Sequence, residues 1–180
     1  MIVALSIDHA GKPGKIRDRG AVDPGGLTEV DYTARYAWTA EKELRKGGVD
    51  VIVISSGTYA DRWALADSLG AKCYISCHMN AGGGDRGEIY HDYRTSPTGG
   101  VALAHAIQRS LDDRVPWYVE TKPACEADRA FGCIKGLGTV GVVFEPAFLD
   151  GPRGPLLDHR RSMGKALADG IISWSWKTMP

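Results

Sequence analysis

Two histidines and two glutamates stand where the chain changes character. His9 follows the apolar run MIVALSID, Glu29 opens a helix-like stretch after GGLT, His78 closes AKCYISCH, and Glu145 ends VGVVFE just before Pro146. Two imidazoles and one carboxylate are a ligand set for catalytic zinc, with the fourth position left to water. Zinc lowers the pKa of that water to roughly 7, so hydroxide becomes available at neutral pH. His9, Glu29 and His78 are therefore candidate ligands for one Zn2+ per chain. Glu145 is a different case. A carboxylate ending an apolar strand is costly unless it is paired or has a task. As a general base it would move a proton from water to a leaving nitrogen; as a structural group it would pair with a cation such as Arg153 or Arg160.

These residues are far apart in sequence, so the fold must bring them together. Met1 to Ile7, Val49 to Ser55, Ala71 to His78, Gly87 to Tyr93 and Thr139 to Glu145 read as strands. Glu29 to Lys46, Tyr59 to Leu69, Pro97 to Leu111 and Leu156 to Trp174 read as helices. Thr28 suits the N-cap of the first helix and Gly47-Gly48 its end; Val30, Ala34, Ala37, Trp38 and Leu44 are its expected inner face. Asp8 to Thr28 is a long polar loop rich in Gly and Pro, of the kind that usually serves function. Alternation of strands and helices predicts an α/β fold over 1–180. It is a single domain, a mostly parallel twisted sheet with helices on both faces. Ligands in such sheets bind outside the carboxyl ends of strands, where His9, His78 and Glu145 fall.

Composition narrows the function further. The 180 residues hold 22 Lys plus Arg against 22 Asp plus Glu, and no basic stripe is visible, which argues against nucleic acid. No run reaches the roughly 20 apolar residues of a membrane span. The opening MIVALSIDHAG reads as a buried strand rather than a signal peptide. Cys73, Cys77, Cys125 and Cys133 are expected to be buried, unbridged and catalytically idle, with Cys73 and Cys77 on one strand face. Trp38, Trp63 and Trp117 are expected to pack in core or cleft, and His91, His105 and His159 to lie at the surface or on a helix face.

The order of motifs resembles the zinc-dependent N-acetylmuramoyl-L-alanine amidases of bacterial cell-division hydrolases and phage endolysins. SIDHAG carries His9, RDRGAV a Gly-Ala pair, GLTE Glu29, YISCHMNAG His78, RGEIY a following strand, VVFEPAFLD Glu145, and ALADGII the closing helix. Two departures stand out: Asp8 and His9 are adjacent where the family spaces them, and Asp67 stands where it often has Asn. The resemblance implies hydrolysis of the amide between N-acetylmuramic acid and L-alanine, with Glu145 as the proton-transfer residue. Asp8 and Asp31 are candidates to orient the imidazoles. Peptidoglycan is the implied partner of a monomer made in the cytoplasm and acting on the wall after release during host lysis. The competing readings are a carboxypeptidase-like zinc enzyme, for which no Arg clamp is evident, and a wall-binding module, which would need no general base.

Overall fold

The runs IVALSI, CYISC and VGVVFE have almost no polar face to offer water, and all three become inner strands of one six-stranded sheet. The computed structural model describes residues 1–11, 13, 18–92, 97–125, 129–152 and 156–178. In chain order the elements are β1 (Ile2–Ile7), α1 (Glu29–Lys46), β2 (Asp50–Ile54), α2 (Tyr59–Ser68), β3 (Cys73–Cys77), β4 (Arg86–Asp92), α3 (Pro97–Asp112), β5 (Tyr118–Ala124), β6 (Val140–Glu145) and α4 (Arg160–Thr178). Single 3-10 turns cover Arg129–Cys133 and Leu156–His159.

The strand order is β2-β1-β3-β6-β4-β5. The first four strands of that order are mutually parallel, β4 runs antiparallel to β6, and β5 runs parallel to β4. The carboxyl ends of β1, β3 and β6 therefore share one sheet edge with the start of β4. Glu88 of β4 stands opposite Glu145 of β6 in that ladder.

Side chains alternate between two cores, as the strand period requires. Leu5, Cys73, Ile75, Cys77 and Phe144 face α1, α3 and α4, while Ala4, Tyr74 and Val143 face α2 and the Arg129–Cys133 turn. Cys73 and Cys77 do share a face. Each fully buried Leu, Ile or Phe here contributes roughly 1.5–3 kcal/mol. No described helix is long and apolar enough to cross a membrane.

Helix α1 has the expected bounds because its ends are chemically marked. Asp31 accepts the Thr28 N–H at 2.9 Å and the Thr28 hydroxyl at 2.6 Å, and Gly47 caps the end. Its inner face holds Ala37 and Leu44 as expected, with Val30 and Ala34 half-buried against the core, and departs from expectation at Trp38. Glu29, Tyr32, Thr33, Tyr36, Ala37, Ala40 and Leu44 are buried, whereas Trp38 is 58% exposed. Strand β5 had no sequence expectation. YVETKPA is polar and carries a proline, which an edge strand tolerates and an inner one does not.

Arg62 of α2 is wholly buried and knits β1 to its surroundings. Its guanidinium donates to Asp8 Oδ1 at 3.3 Å, Ser6 Oγ at 2.9 Å, and the carbonyls of Ile7 and Gly57 at 2.9 and 3.0 Å. It also donates to the Ala10 carbonyl. Replacing Arg62 by Met would strip the buried Asp8 of its guanidinium partner and leave the Ser6, Ile7 and Ala10 acceptors without their donor. The expected loss is about 3–5 kcal/mol, read as a lowered urea midpoint at unchanged slope; a shift near zero would mean that Asp8 does not depend on this cation.

Candidate active site

The chain turns sharply after β1. His9 has a φ of 64°, the single left-handed residue other than glycine among those described. Such strain at an L residue gathers at functional sites. Here it resolves the adjacency of Asp8 and His9. Asp8 points into the buried region beside β3, and His9 swings to the other side of His78, their rings 5.4 Å apart and nearly perpendicular.

Glu29 enters from the first turn of α1 and is buried. Its Oε1 accepts the Met79 N–H at 3.0 Å and faces His78 Nδ1 at 2.7 Å. Its Oε2 accepts the Ala21 N–H at 3.1 Å and faces His9 Nε2 at 3.6 Å. Gly20, at φ 79°, passes so close that any Cβ there would overlap the Glu29 carboxylate. The loop glycine is thus a steric requirement of the site. His9, Glu29 and His78 each bring one donor atom to within 4.8 Å of the others.

Both imidazoles have a carboxylate behind them. His78 Nε2 lies 2.9 Å from Asp8 Oδ2, and His9 Nδ1 lies 3.2 Å from Asp18 Oδ1. Each pair leaves the other ring nitrogen, His78 Nδ1 or His9 Nε2, turned toward Glu29. This is the arrangement by which carboxylates select the tautomer of a metal-binding histidine. Asp8 was anticipated in that role. Asp31 was too, but it caps α1 and pairs with Arg19 at 2.8 Å, away from either ring. Asp18 was missed because it lies in a loop without periodicity.

The charges around Glu29 and His78 are mutually dependent. Burial works to raise the Glu29 carboxyl, but the bond and charge of His78, the charge of His9 and the Met79 N–H hold it below its ordinary value. Burial works to lower His78, yet its bonds to Asp8, Cys133 and Glu29 raise it well above. A cation seated between these groups would compete with protonation of His78.

Glu145 lines the same cleft, about 580 Å³ in volume, with His9, Glu29, His78, Asn80, Tyr90 and Cys133. Burial pushes its carboxyl up to about 7, opposed by His78 and reinforced by the charges of Glu29 and Glu88. No ion pair to Arg160 is recorded for it, and Arg153 lies outside the described residues. Cysteine expectations need correcting. None of the four is bridged, but Cys125 is exposed and Cys133 sits in the cleft with Sγ 3.4 Å from His78 Nε2.

The N-acetylmuramoyl-L-alanine amidase family (Amidase_3) matches residues 5–173. The chain belongs to this family. No match was found among curated proteins. Among solved structures, the amidase AmiC2 of Nostoc punctiforme is similar with a TM-score of 0.80 at 21% identity, covering 98% of this chain and 97% of that one. The N-acetylmuramyl-L-alanine amidase of Mycobacterium smegmatis gives 0.82 at 16% identity, covering 99% and 98%. The catalytic domain of the CD27L endolysin, which targets Clostridia difficile, gives 0.73 at 17% identity, covering 96% and 97%. At such identities the structures show a shared fold, and the family match carries the activity: this amidase acts on cell-wall peptidoglycan. Among the described residues lining the cleft that holds His9, Glu29, His78 and Glu145, none is Arg or Lys.

The raised Glu145 has a measurable consequence. A carboxyl at about 7 in the folded amidase, against 4.5 unperturbed, opposes folding once ionised. That opposition is absent below pH 4.5, grows between pH 4.5 and 7, and is complete above. In metal-free protein at pH 8, Glu145→Gln should be more stable than the parent by up to about 3 kcal/mol. An ion-paired Glu145 would give the opposite sign, with the variant melting earlier.

Proposed function

We propose that residues 1–180 form a zinc-dependent catalytic domain that cleaves the amide between the lactyl group of N-acetylmuramic acid and L-alanine. His9 through Nε2, Glu29, and His78 through Nδ1 hold one zinc ion, and Glu145 transfers the proton. The observation that carries this reading is the convergence of those three donors on one point in a cleft that Glu145 shares. The donor set fits zinc on chemical grounds: two imidazoles, each backed by a carboxylate, and one buried carboxylate.

When bound, zinc supplies a Lewis acid and brings the pKa of a water near neutrality. The chain's own groups do the rest. Asp8 and Asp18 keep the imidazoles oriented. Tyr36 donates its hydroxyl to the His78 carbonyl at 2.8 Å, fixing the residue that follows β3. Glu145 accepts a proton from the attacking water and delivers it to the amide nitrogen, which leaves as the free amino group of L-alanine. A carboxyl near 7 is matched to both halves of that transfer, since it is neither too weak to accept nor too reluctant to give. The lining favours an internal amide over a peptide terminus, because no described cation there would clamp a terminal carboxylate.

The biological role we infer is that of a monomeric phage lysin acting on the wall after release during host lysis. The likeness to the CD27L catalytic domain supports this reading. Exogenous protein should then clear a suspension of susceptible cells, whereas an amidase confined to recycling soluble fragments would leave intact walls untouched.

Two variants test the chemistry. Purified protein should hold about one zinc, and digestion of peptidoglycan should release new L-alanine amino groups without new reducing sugar. Glu145→Ala should retain the zinc and lose on the order of 10²–10⁴ in kcat. His78→Ala should lose the zinc itself. Zinc departing with Glu145→Ala would make Glu145 a ligand and reverse the assignment of roles.

A further inference from the structure

His78 has two nitrogens, and the proposed zinc uses one of them. The other, Nε2, faces Asp8, which orients the ring, and the thiol of Cys133, which the amidase chemistry leaves unused. Asp8 Oδ2 lies 2.9 Å from it and Cys133 Sγ 3.4 Å, and the donor atoms of Asp8, His78 and Cys133 all fall within 4.8 Å of one another. We propose that Asp8, His78 and Cys133 form a second metal site, selective for thiophilic divalent ions such as cadmium or zinc in excess, whose occupation inhibits the amidase.

Three features support a site rather than a chance meeting. The donors are a thiol, an imidazole and a carboxylate, all buried; a soft thiolate beside an imidazole favours Zn2+ and Cd2+ over Mg2+ or Ca2+. The donors are also held in advance. Asp8 is clamped by Ser6 at 2.6 Å, by Ser76 and by Arg62. The Cys133 carbonyl accepts the Trp63 indole N–H at 2.7 Å, and the ring of Trp63 stacks on Tyr59. Finally, His78 and Cys133 both line the open cleft, which gives an ion a way in.

Binding is a proton exchange. The ion takes the place of the thiol proton of Cys133 and of the Nε2 proton that Asp8 accepts, so two protons leave to solvent. Arg62 remains beside Asp8, so one cation and two anions surround the ion, with the imidazole as third donor. The inhibition rests on the zinc reading above. An ion at Nε2 either pulls His78 away from the first ion or turns the ring into a bridge, and in both cases removes the Asp8 bond that orients it.

The test uses the full chain carrying Cys125→Ser, because Cys125 is exposed and would bind cadmium by itself. Titration with Cd2+ should give a cadmium–thiolate charge-transfer absorption that saturates at one equivalent, protect Cys133 from iodoacetamide as mapped by mass spectrometry, and lower turnover at least 10-fold. Adding Cys133→Ser should abolish the absorption and make turnover indifferent to the same cadmium. His9→Ala should keep the absorption, so failure of the zinc reading and failure of this one are separable. Absorption that survives Cys133→Ser, or cadmium that leaves Cys133 fully alkylated in the chain with its native thiol, overturns the proposal; the alkylation measurement stands even where the serine variant does not fold.

Discussion

The buried carboxylate of Asp8 is the constraint around which the site is arranged. It is wholly inaccessible, and burial alone would drive it toward the neutral acid. The bond and charge of His78, with the hydroxyls of Ser6 and Ser76, instead hold it below its ordinary value. Arg62 supplies the counter-charge and ties the same region to α2. Such a group cannot be solvated by water, so its partners are obligatory. One of them, His78, thereby has its ring fixed before any ion or substrate arrives. The strands are not interchangeable scaffolding in this respect: Ser6, Asp8 and Ser76 meet because β1 and β3 are adjacent and parallel, with Ser6 in register with Ser76.

From that anchor the negative charge is graded across the cleft. Glu29 is held ionised by His78, His9 and the Met79 N–H. Glu88, opposite Glu145 in the β4–β6 ladder, is held ionised despite its burial by Lys122, Tyr90 and Arg86. Glu145 lies between them with no hydrogen bond or ion pair among the described residues, and burial and its two neighbours together push it up. Pairs of carboxyls whose surroundings drive their pKa values apart are how one cleft divides acid from base work. The single antiparallel ladder in the sheet is what sets Glu88 beside Glu145. A wholly parallel sheet would have put the far end of β4 there.

Much of this was legible in the sequence, for physical reasons. Helix α1 was readable to its ends because Thr28 caps its start and Gly47-Gly48 stop it. Strands β1, β3 and β6 were readable because they are almost wholly apolar on both faces. His9, Glu29, His78 and Glu145 stood out as polar groups at the boundaries of such elements, and the fold gathers all four in one cleft. Strand β5 escaped because an edge strand keeps polar residues and a proline. Trp38 was misjudged because helical periodicity alone cannot say which of two adjacent stripes meets the sheet; Tyr32, Tyr36 and Ala40 took that face. Asp18 and Cys133 escaped for another reason. Asp18 reaches the site from a loop and Cys133 from a single 3-10 turn, where no period links a residue to a face, so only the folded chain reveals its neighbour.

The left-handed turn at His9 shows how a departure from a motif can be absorbed by backbone geometry. In an extended strand, consecutive side chains point to opposite faces. Adjacent Asp8 and His9 continuing β1 would leave one of them on the wrong side of the sheet edge. A φ of 64° rotates the chain out of that alternation. Histidine is among the residues that adopt this region more readily than most, whereas a β-branched residue would resist it. The strain is offset by what the turn permits: Asp18 on one nitrogen, Glu29 facing the other, and His78 edge-on beside the ring. Direct adjacency of Asp8 and His9 therefore does not displace the imidazole from the cleft. It moves the adjustment from sequence spacing into a single dihedral angle, and makes the site depend on that angle being held.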